Sequence, residues 1–209
     1  LREWYEIEYE SICFTSKNIE DAKKSGHKWF PYNKGGEFRK WYGNLEWVIN
    51  YENDGQEIKD YAIKLYKSSS RTIQNTQFYF KESITWSAVT SGALSFRWSE
   101  VGAIFGSGAH CAFAPDSDTL LYGLALLNGK VSAAYLNVIS PTLNTNVDDI
   151  RATPYIEKDK ETVVATVRKC ISLSKTDWDS FETSWDFKRH PLLDCMEEAE
   201  REIPVVRYE

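Results

Sequence analysis

The stretch AIFGSGAHCAFAPDSDTLLYGLALLNG, residues 103–129, contains the change of pattern that decides the fold. Its first half is rich in small and β-type residues, which is typical of tight β structure. Its second half is an apolar run that Asp116 or Asp118 can cap as a helix and that Gly129 can end. We therefore expect the secondary structure to change from strand to helix near residue 116.

The segments just before this stretch alternate apolar and polar residues, as half-buried strands do. They are QFYF (77–80), SITWSAVT (83–90) and ALSFRWS (93–99). Ser91-Gly92 suits a hairpin turn between the last two. The β pattern thus extends over most of residues 77–115.

The N-terminal third mixes strand and helix signals. Its segments are a strand over 4–14, a short polar helix over 16–26 closed by Gly26, a loop over 27–44, a strand over 45–52, a helix over 53–67 and a polar loop over 68–76. The helix over 53–67 is expected to bury one face that contains Ile58, Tyr61, Ala62 and Leu65.

The chain after residue 129 is mainly helical in pattern. Three helices are predicted, over 130–140 (stopped by Pro141), 158–175 and 194–203, with a connector over 142–156 that contains a candidate strand. The sequence therefore predicts an α+β protein, with a β-rich part over residues 1–115 and a helical part over residues 116–209.

The totals are those of a globular protein. The chain has 209 residues, a net charge of −6 and 42% hydrophobic residues. No apolar run is long enough and uninterrupted enough to predict a membrane span. The chain begins at Leu1 without a basic-then-apolar signal segment, so we expect a part of a longer cytoplasmic polypeptide. Its four cysteines form no CxxC pair, and we expect free thiols.

The charge is distributed unevenly. Residues 21–43 sum to +4, so the rest of the chain sums to −10. The cations of this basic segment are Lys23, Lys24, Lys28, Lys34, Arg39 and Lys40. A local basic segment on an acidic body suits contact with one polyanion at one place.

Signals for catalysis are weak. His27, His110 and His190 are far apart and form no metal-binding motif. Gly106-Ser107-Gly108 lacks the Gly-Lys-Ser/Thr ending of a phosphate loop and is better explained as a tight turn before a helix. Asp148-Asp149 suits a solvated loop pair. We expect no catalytic residue and no metal site in this chain.

Signals for binding are stronger in KWFPYNKGGEFRKWYGN, residues 28–44. Gly35-Gly36 lets the backbone approach a ligand closely. Lys34, Arg39 and Lys40 can neutralise phosphates. The aromatic residues around them can either stack on bases or pack the segment against the core.

The same stretch and four others resemble one protein family in order along the chain. They are LEWVINYENDGQEIK (45–59), FYFKESITWSAVTSGALSFRW (78–98), LLYGLALLNGKVSAAYLNVISPTLNTNVDDIRATP (120–154) and DWDSFETSWDFKRHPLL (177–193). Together they resemble the region downstream of the catalytic domain in large bacterial adenine-specific DNA methyltransferases. The nearest resemblance is to the PglX type of BREX phage-defence systems, and related stretches occur in restriction–modification enzymes.

This resemblance implies a target-recognition domain. In such enzymes an upstream Rossmann-like domain binds S-adenosylmethionine and grips the flipped adenine with an Asn-Pro-Pro motif. The present sequence contains no Asn-Pro-Pro motif. We therefore expect this chain to bind no cofactor and to be inactive alone, with S-adenosylmethionine belonging to the parent enzyme.

The resemblance and the basic segment together predict a DNA-contacting set. Its members are Lys28, Tyr32, Asn33, Lys34, Gly35, Gly36, Arg39, Lys40, Arg71, Trp86, Ser87 and Arg97. Loops 68–76 and 90–100 are the candidates for base contact, so replacing Arg71 or Arg97 by alanine is expected to relax specificity at one base position.

The expected partners are duplex DNA, the catalytic domain of the same polypeptide and other proteins of the defence system, with no membrane. Two other functions stay open at this point. The acidic aromatic block DWDSFETSWDF (177–187) could serve as a protein-docking surface. The aromatic content also fits a carbohydrate-binding module, although no secretory signal precedes it.

Overall fold

The computed structural model describes residues 1–193 and confirms a mixed α+β fold. The helix predicted over 194–203 and the fourth cysteine, Cys195, lie outside the described residues. Cys13, Cys111 and Cys170 are free thiols, as expected. No helix within residues 1–193 has both the length and the apolar composition needed to cross a bilayer.

The described strands form two small sheets. They are β1 (Arg2–Glu3), β2 (Trp29–Asn33), β3 (Trp47–Asn50), β4 (Ser83–Ser87), β5 (Arg97–Ser99), β6 (Ile104–Phe105) and β7 (Ala109–Ala112). The first sheet has the order β1-β3-β2-β6, in which β2 and β6 run parallel and the other neighbours antiparallel. The second sheet is antiparallel with the order β5-β4-β7.

The described α-helices begin and end largely where local signals predict. They are α1 (Ile19–Ser25), α2 (Glu52–Tyr66), α3 (Ser117–Asn128), α4 (Lys130–Ile139), α5 (Val147–Arg151) and α6 (Lys160–Trp178). Asp116 caps α3 by accepting a hydrogen bond from the Thr119 amide at 2.8 Å. Gly129 ends α3, and Gly26 ends α1 in the left-handed conformation.

Two clusters of buried side chains hold the fold together. The larger one joins Trp86 and Phe96 of the β-rich part to Leu124 and Val167 of α3 and α6. The smaller one gathers Phe30, Tyr51, Phe80 and Ile104 around the first sheet. Because the larger cluster contains residues from both sides of residue 116, the β-rich and helical parts share one core.

The strand predicted over residues 4–14 is wrong. Two single-turn 3-10 helices, Trp4–Glu6 and Tyr9–Ser11, take its place. The Glu6 carboxylate accepts a hydrogen bond from the Glu3 amide at 3.0 Å, which closes the first turn. Tyr5 and Tyr9 remain exposed, so the alternating aromatics do not share a buried face.

Other β predictions also need correction. The 3-10 helix Thr76–Phe78 replaces the first half of the strand predicted over 77–80, and Tyr79 and Phe80 form a turn. The connection between β4 and β5 does not close as a tight turn at Ser91-Gly92, because the amide of Thr90 donates to the carbonyl of Leu143 at 2.9 Å. The turn at Gly106-Ser107-Gly108 leads into β7 instead of a helix. The connector over 142–156 contains α5.

Helix α2 buries less of its predicted face than expected. Ala62 is fully buried, whereas Tyr61 and Leu65 are 62% and 50% exposed. The first turn of α2 is left-handed over 53–55, and the Tyr51 hydroxyl and the Lys59 ammonium stabilise it by bonding to Asp54 at 2.7 and 2.6 Å. The contact with the rest of the chain is therefore a narrow strip around a small residue.

Candidate nucleic-acid interface

The segment that follows β2, residues 34–44, is called here the Gly-Gly loop. Its first turn is fastened to β4 by one side chain. The Ser87 hydroxyl accepts a hydrogen bond from the Gly36 amide at 3.0 Å and donates one to the Gly36 carbonyl at 2.8 Å. Ser87 itself is buried. The residue therefore positions the loop from behind and does not face outward, where a DNA contact would lie.

Gly35 explains why glycine is needed at this turn. Its φ is +93°, and a Cβ added there would lie 2.7 Å from the Gly108 carbonyl oxygen. Real Cβ atoms do not approach backbone oxygens so closely. We expected Gly35-Gly36 to let the backbone approach a ligand. Instead, Gly35 lets the backbone approach the turn between β6 and β7 of the same chain.

The second half of the Gly-Gly loop lies along the edge of the second sheet. The Trp41 amide donates to the Phe96 carbonyl at 3.0 Å, and the Trp98 amide donates to the Trp41 carbonyl at 2.8 Å. The Asn44 amide group donates to the Glu37 carbonyl at 2.9 Å. The loop is therefore fixed at both ends and across its middle.

The cations of the loop have separate partners. Arg39 forms an ion pair with Asp177 at 2.8 Å and lies 5.0 Å from the ring centre of Trp178. The Lys40 ammonium donates to the Asn128 carbonyl at 2.9 Å. Both side chains therefore connect the loop to the helical part, and the Arg39 charge is already paired with a carboxylate.

Lys34 differs from these two cations. Its ammonium lies 3.1 Å from the ring centre of Trp47, and the residue is exposed. Within the described part of the chain, no carboxylate lies within salt-bridge distance of it. Its charge is therefore available to an anion that approaches the loop.

Phe38 lies on the outer side of the same loop and is 56% exposed. Phe38 was not included in the DNA-contacting set predicted from the sequence, although it lies between Gly35-Gly36 and Arg39-Lys40. An aromatic ring held outside the core by a fixed loop is available for stacking. Lys34 and Phe38, with Gly36 and Glu37 exposed between them, form the exposed tip of the Gly-Gly loop.

Several residues of the predicted DNA-contacting set are in the interior. Trp86, Arg97 and Asn33 are 0%, 2% and 4% exposed, respectively. Asn33 donates from its amide to the Ser99 hydroxyl at 2.9 Å, and Trp86 belongs to the larger core. Tyr32 is half-buried, and burial raises the pKa of its hydroxyl. These side chains support the two sheets and do not face a duplex in this conformation.

The remaining members, Lys28 and Arg71, are exposed but lie away from the tip. Lys28 precedes β2 and Lys34 follows it, so the strand separates them by about 20 Å. The Arg71 guanidinium lies 5.1 Å from the ring centre of Tyr66, at the end of α2. The basic segment therefore does not form one patch.

Arg97 is the most unusual buried group. Its guanidinium donates only long hydrogen bonds of 3.4 Å, to the Arg39 carbonyl and the Ser95 hydroxyl. No carboxylate within residues 1–193 forms a salt bridge with it, and burial lowers its pKa to about 10. Thr85 pairs with Arg97 between β4 and β5. Its hydroxyl is buried and has no hydrogen-bond partner within residues 1–193.

We expect Arg97→Met to leave the free energy of unfolding unchanged or to raise it by about 1 kcal/mol, because the buried charge is poorly compensated. Urea denaturation of the chain measures this. Arg39→Met is the control, and it is expected to lose about 1 kcal/mol with its ion pair. A loss of more than about 2 kcal/mol for Arg97→Met would show that its charge has a necessary role.

The described strands do not form the arrangement typical of an S-adenosylmethionine site. Rossmann-like cofactor sites lie where a parallel strand runs through a glycine-rich turn into a helix. Within residues 1–193, β2 and β6 are the parallel neighbours, and β2 leads into the Gly-Gly loop while β6 leads into β7. In the same residues, no group of three or more His, Cys, Asp or Glu side chains could hold a metal ion.

Comparison with known proteins identifies the family. No protein-family model matches the chain. Two curated adenine-specific methyltransferases match nearly all of it. PglX of Lacticaseibacillus casei (strain Zhang) is 40% identical over 203 residues, which are 96% of this chain and 17% of that protein. BrxX of Escherichia coli O9:H4 (strain HS) is 37% identical over 197 residues, which are 93% of this chain and 15% of that protein.

The chain is thus similar, over nearly its whole length, to one region of two adenine-specific methyltransferases. More particularly, that region belongs to PglX-type proteins, which confirms the resemblance seen in its motifs. The chain spans about a sixth of the length of these two relatives.

Proposed function

We propose that this chain is the target-recognition region of an adenine-specific DNA methyltransferase. In this proposal it holds duplex DNA for a catalytic domain elsewhere in the same polypeptide. The two relatives support the enzyme class by their names. The observation that carries the DNA role is the Gly-Gly loop, which is fixed from behind by Ser87 and exposes Lys34 and Phe38.

The two exposed side chains suit two different parts of a nucleic acid. The Lys34 ammonium can neutralise a backbone phosphate, which gives affinity and register without reading sequence. The Phe38 ring can stack on a base or fill the space beside an extruded one. Methyl transfer to adenine needs the base outside the duplex, so a residue that supports the distorted helix would assist the reaction. S-adenosylmethionine would be bound by the rest of the polypeptide.

The contact set that we propose is smaller than the set predicted from the sequence. Lys34 and Phe38 form its centre, and Lys28 and Arg71 are exposed cations elsewhere on the surface. Arg39 and Lys40 act through the helical part, because Arg39 is paired with Asp177 and Lys40 is bonded to the Asn128 carbonyl.

The alternative of protein docking through residues 177–187 has less support. Asp177 is paired with Arg39, and Asp186 is paired with Lys175 at 2.6 Å. Trp178 is buried. The acidic and aromatic groups of this block thus hold α6 and the Gly-Gly loop together, and fewer of them are left for a partner.

Lys34→Gln tests the phosphate contact. We expect it to weaken binding to all duplex sequences alike and to reduce the slope of log affinity against log salt by about 1. The slope is measured by fluorescence anisotropy with a randomised duplex over a salt series. The protein used is the intact polypeptide, which means this chain together with the proposed catalytic domain. Lys158→Gln is the control, since Lys158 is exposed on the connector before α6. Equal slopes for both variants would contradict the contact.

A further inference from the structure

One surface of the molecule is poor in charge, with Lys130 at its border. Residues 83–96 and residues 131–147 contain no Asp, Glu, Lys, Arg or His, although 27% of the chain is charged. The two segments lie side by side, because the Thr90 amide donates to the Leu143 carbonyl at 2.9 Å and the Thr145 amide donates to the Ala88 carbonyl at 3.1 Å. We call their exposed residues the uncharged face.

Helix α4 supplies the apolar part of this face. Val131 and Val138 are 84% and 78% exposed, and Ala134 is exposed between them at helical spacing. The opposite side of the helix is already packed, since Leu136 and Ser132 are buried. Val89 and Leu143, 63% and 60% exposed, are the apolar side chains exposed where the two segments pair.

Exposure alone does not explain this composition. The solvent side of α6 is also exposed, but it carries Glu161, Arg168 and Lys169. The exposed end of α2 likewise carries Lys64 and Lys67 beside its apolar residues. Charged residues are depleted at the centre of protein–protein interfaces, and contiguous exposed apolar patches mark such interfaces. The uncharged face has the composition of a buried contact.

The scarcity of charge on this surface also argues against a DNA contact. Loop 90–100 was a candidate for base contact, but its exposed part Ser91-Gly92-Ala93 has no cation, and α4 offers a phosphate only Lys130 at its first position. Phosphate contacts dominate protein–DNA affinity. A polypeptide surface suits this face better than a duplex does.

We propose that the uncharged face is covered by the remainder of the PglX-type polypeptide. The two relatives extend far beyond the matched region, which is 17% and 15% of their lengths. A large body of protein in the same polypeptide is therefore available to cover Val131, Ala134 and Val138. The contact leaves the tip of the Gly-Gly loop uncovered, and it does not depend on whether that tip binds DNA.

Site-specific photo-crosslinking in the intact polypeptide tests this contact. A benzophenone amino acid at position 131 is expected to form cross-links within the same polypeptide, to peptides outside this region, as identified by mass spectrometry. The same probe at position 169, on the charged side of α6, is the control and is expected to form few or none. Cross-links from position 131 to a second copy or to DNA, or a yield no higher than at position 169, would overturn the proposal.

A charge variant adds a second readout. Val138→Lys is expected to reduce the cross-link yield from position 131 by roughly tenfold, because an unpaired ammonium is costly to bury. Lys169→Gln is the matched control and should leave the yield unchanged. In the chain of 209 residues alone, Val138→Lys should hardly change the urea midpoint, since position 138 is 78% exposed there. A large loss of stability in that chain, or an unchanged cross-link yield in the intact polypeptide, would contradict the contact.

Discussion

Replacing Gly35 by alanine is expected to lower the free energy of unfolding of the chain by about 3 kcal/mol or more. The φ of +93° is strained for any residue with a Cβ, and the added atom would lie 2.7 Å from the Gly108 carbonyl oxygen. Because that neighbour is backbone, it can move only by shifting the turn between β6 and β7. Urea denaturation measures the loss, and affinity for duplex DNA is expected to fall with it because the loop tip moves.

Gly26→Ala is the matched control for this effect. Gly26 also has a positive φ, +68°, but no atom lies within 4 Å of the position that its Cβ would take. It is therefore expected to cost only about 1 kcal/mol, through backbone strain alone. Equal costs for the two variants would show that the close approach of the Gly-Gly loop to Gly108 does not constrain the fold.

Replacing Phe38 by alanine is expected to weaken binding to duplex DNA by roughly tenfold or more, because stacking of an aromatic ring on a base contributes about 1–3 kcal/mol. Stability should change by less than about 0.5 kcal/mol, since the side chain is 56% exposed. Phe38→Trp should retain most of the affinity, because the indole ring also stacks. Fluorescence anisotropy of the intact polypeptide measures the affinity, and urea denaturation of the chain measures the stability.

Tyr61→Ala is the control for a non-specific aromatic effect. Tyr61 is 62% exposed on α2 and is thus similarly available to solvent. We expect its replacement to leave DNA affinity unchanged. If Phe38→Ala and Tyr61→Ala reduced affinity equally, or if neither did, the assignment of Phe38 to the DNA contact would fail.

The parts of the fold that were predictable from the sequence depend on local signals. Asp116 and Gly129 bound α3 because a cap and a helix stop act within a few residues. The alternation of LEWVINYE also predicted a strand over 45–52, and β3 lies within that range. In contrast, the 3-10 turn Trp4–Glu6 is closed by a hydrogen bond to the Glu6 carboxylate that the alternation of aromatics does not reveal.

The candidate site was less predictable, because its residues have partners far away in the sequence. Arg39 pairs with Asp177, and Lys40 bonds to the Asn128 carbonyl. No pattern within residues 28–44 indicates these partners. Arg97 was expected to face either a carboxylate or a groove, but it is buried against the carbonyl of Arg39 in the Gly-Gly loop with neither. The alternation of its strand does not reveal this loop, which comes from residues 34–44.

The most direct test of the central claim is to identify which surface of the intact polypeptide touches DNA. A photo-reactive benzophenone amino acid at position 38, at the exposed tip of the Gly-Gly loop, is compared with the same probe at position 61. The account predicts that position 38 becomes cross-linked to bound duplex DNA, in a manner that decreases with salt, and that position 61 does not. Cross-linking to DNA from position 61, with none from position 38, would contradict the account.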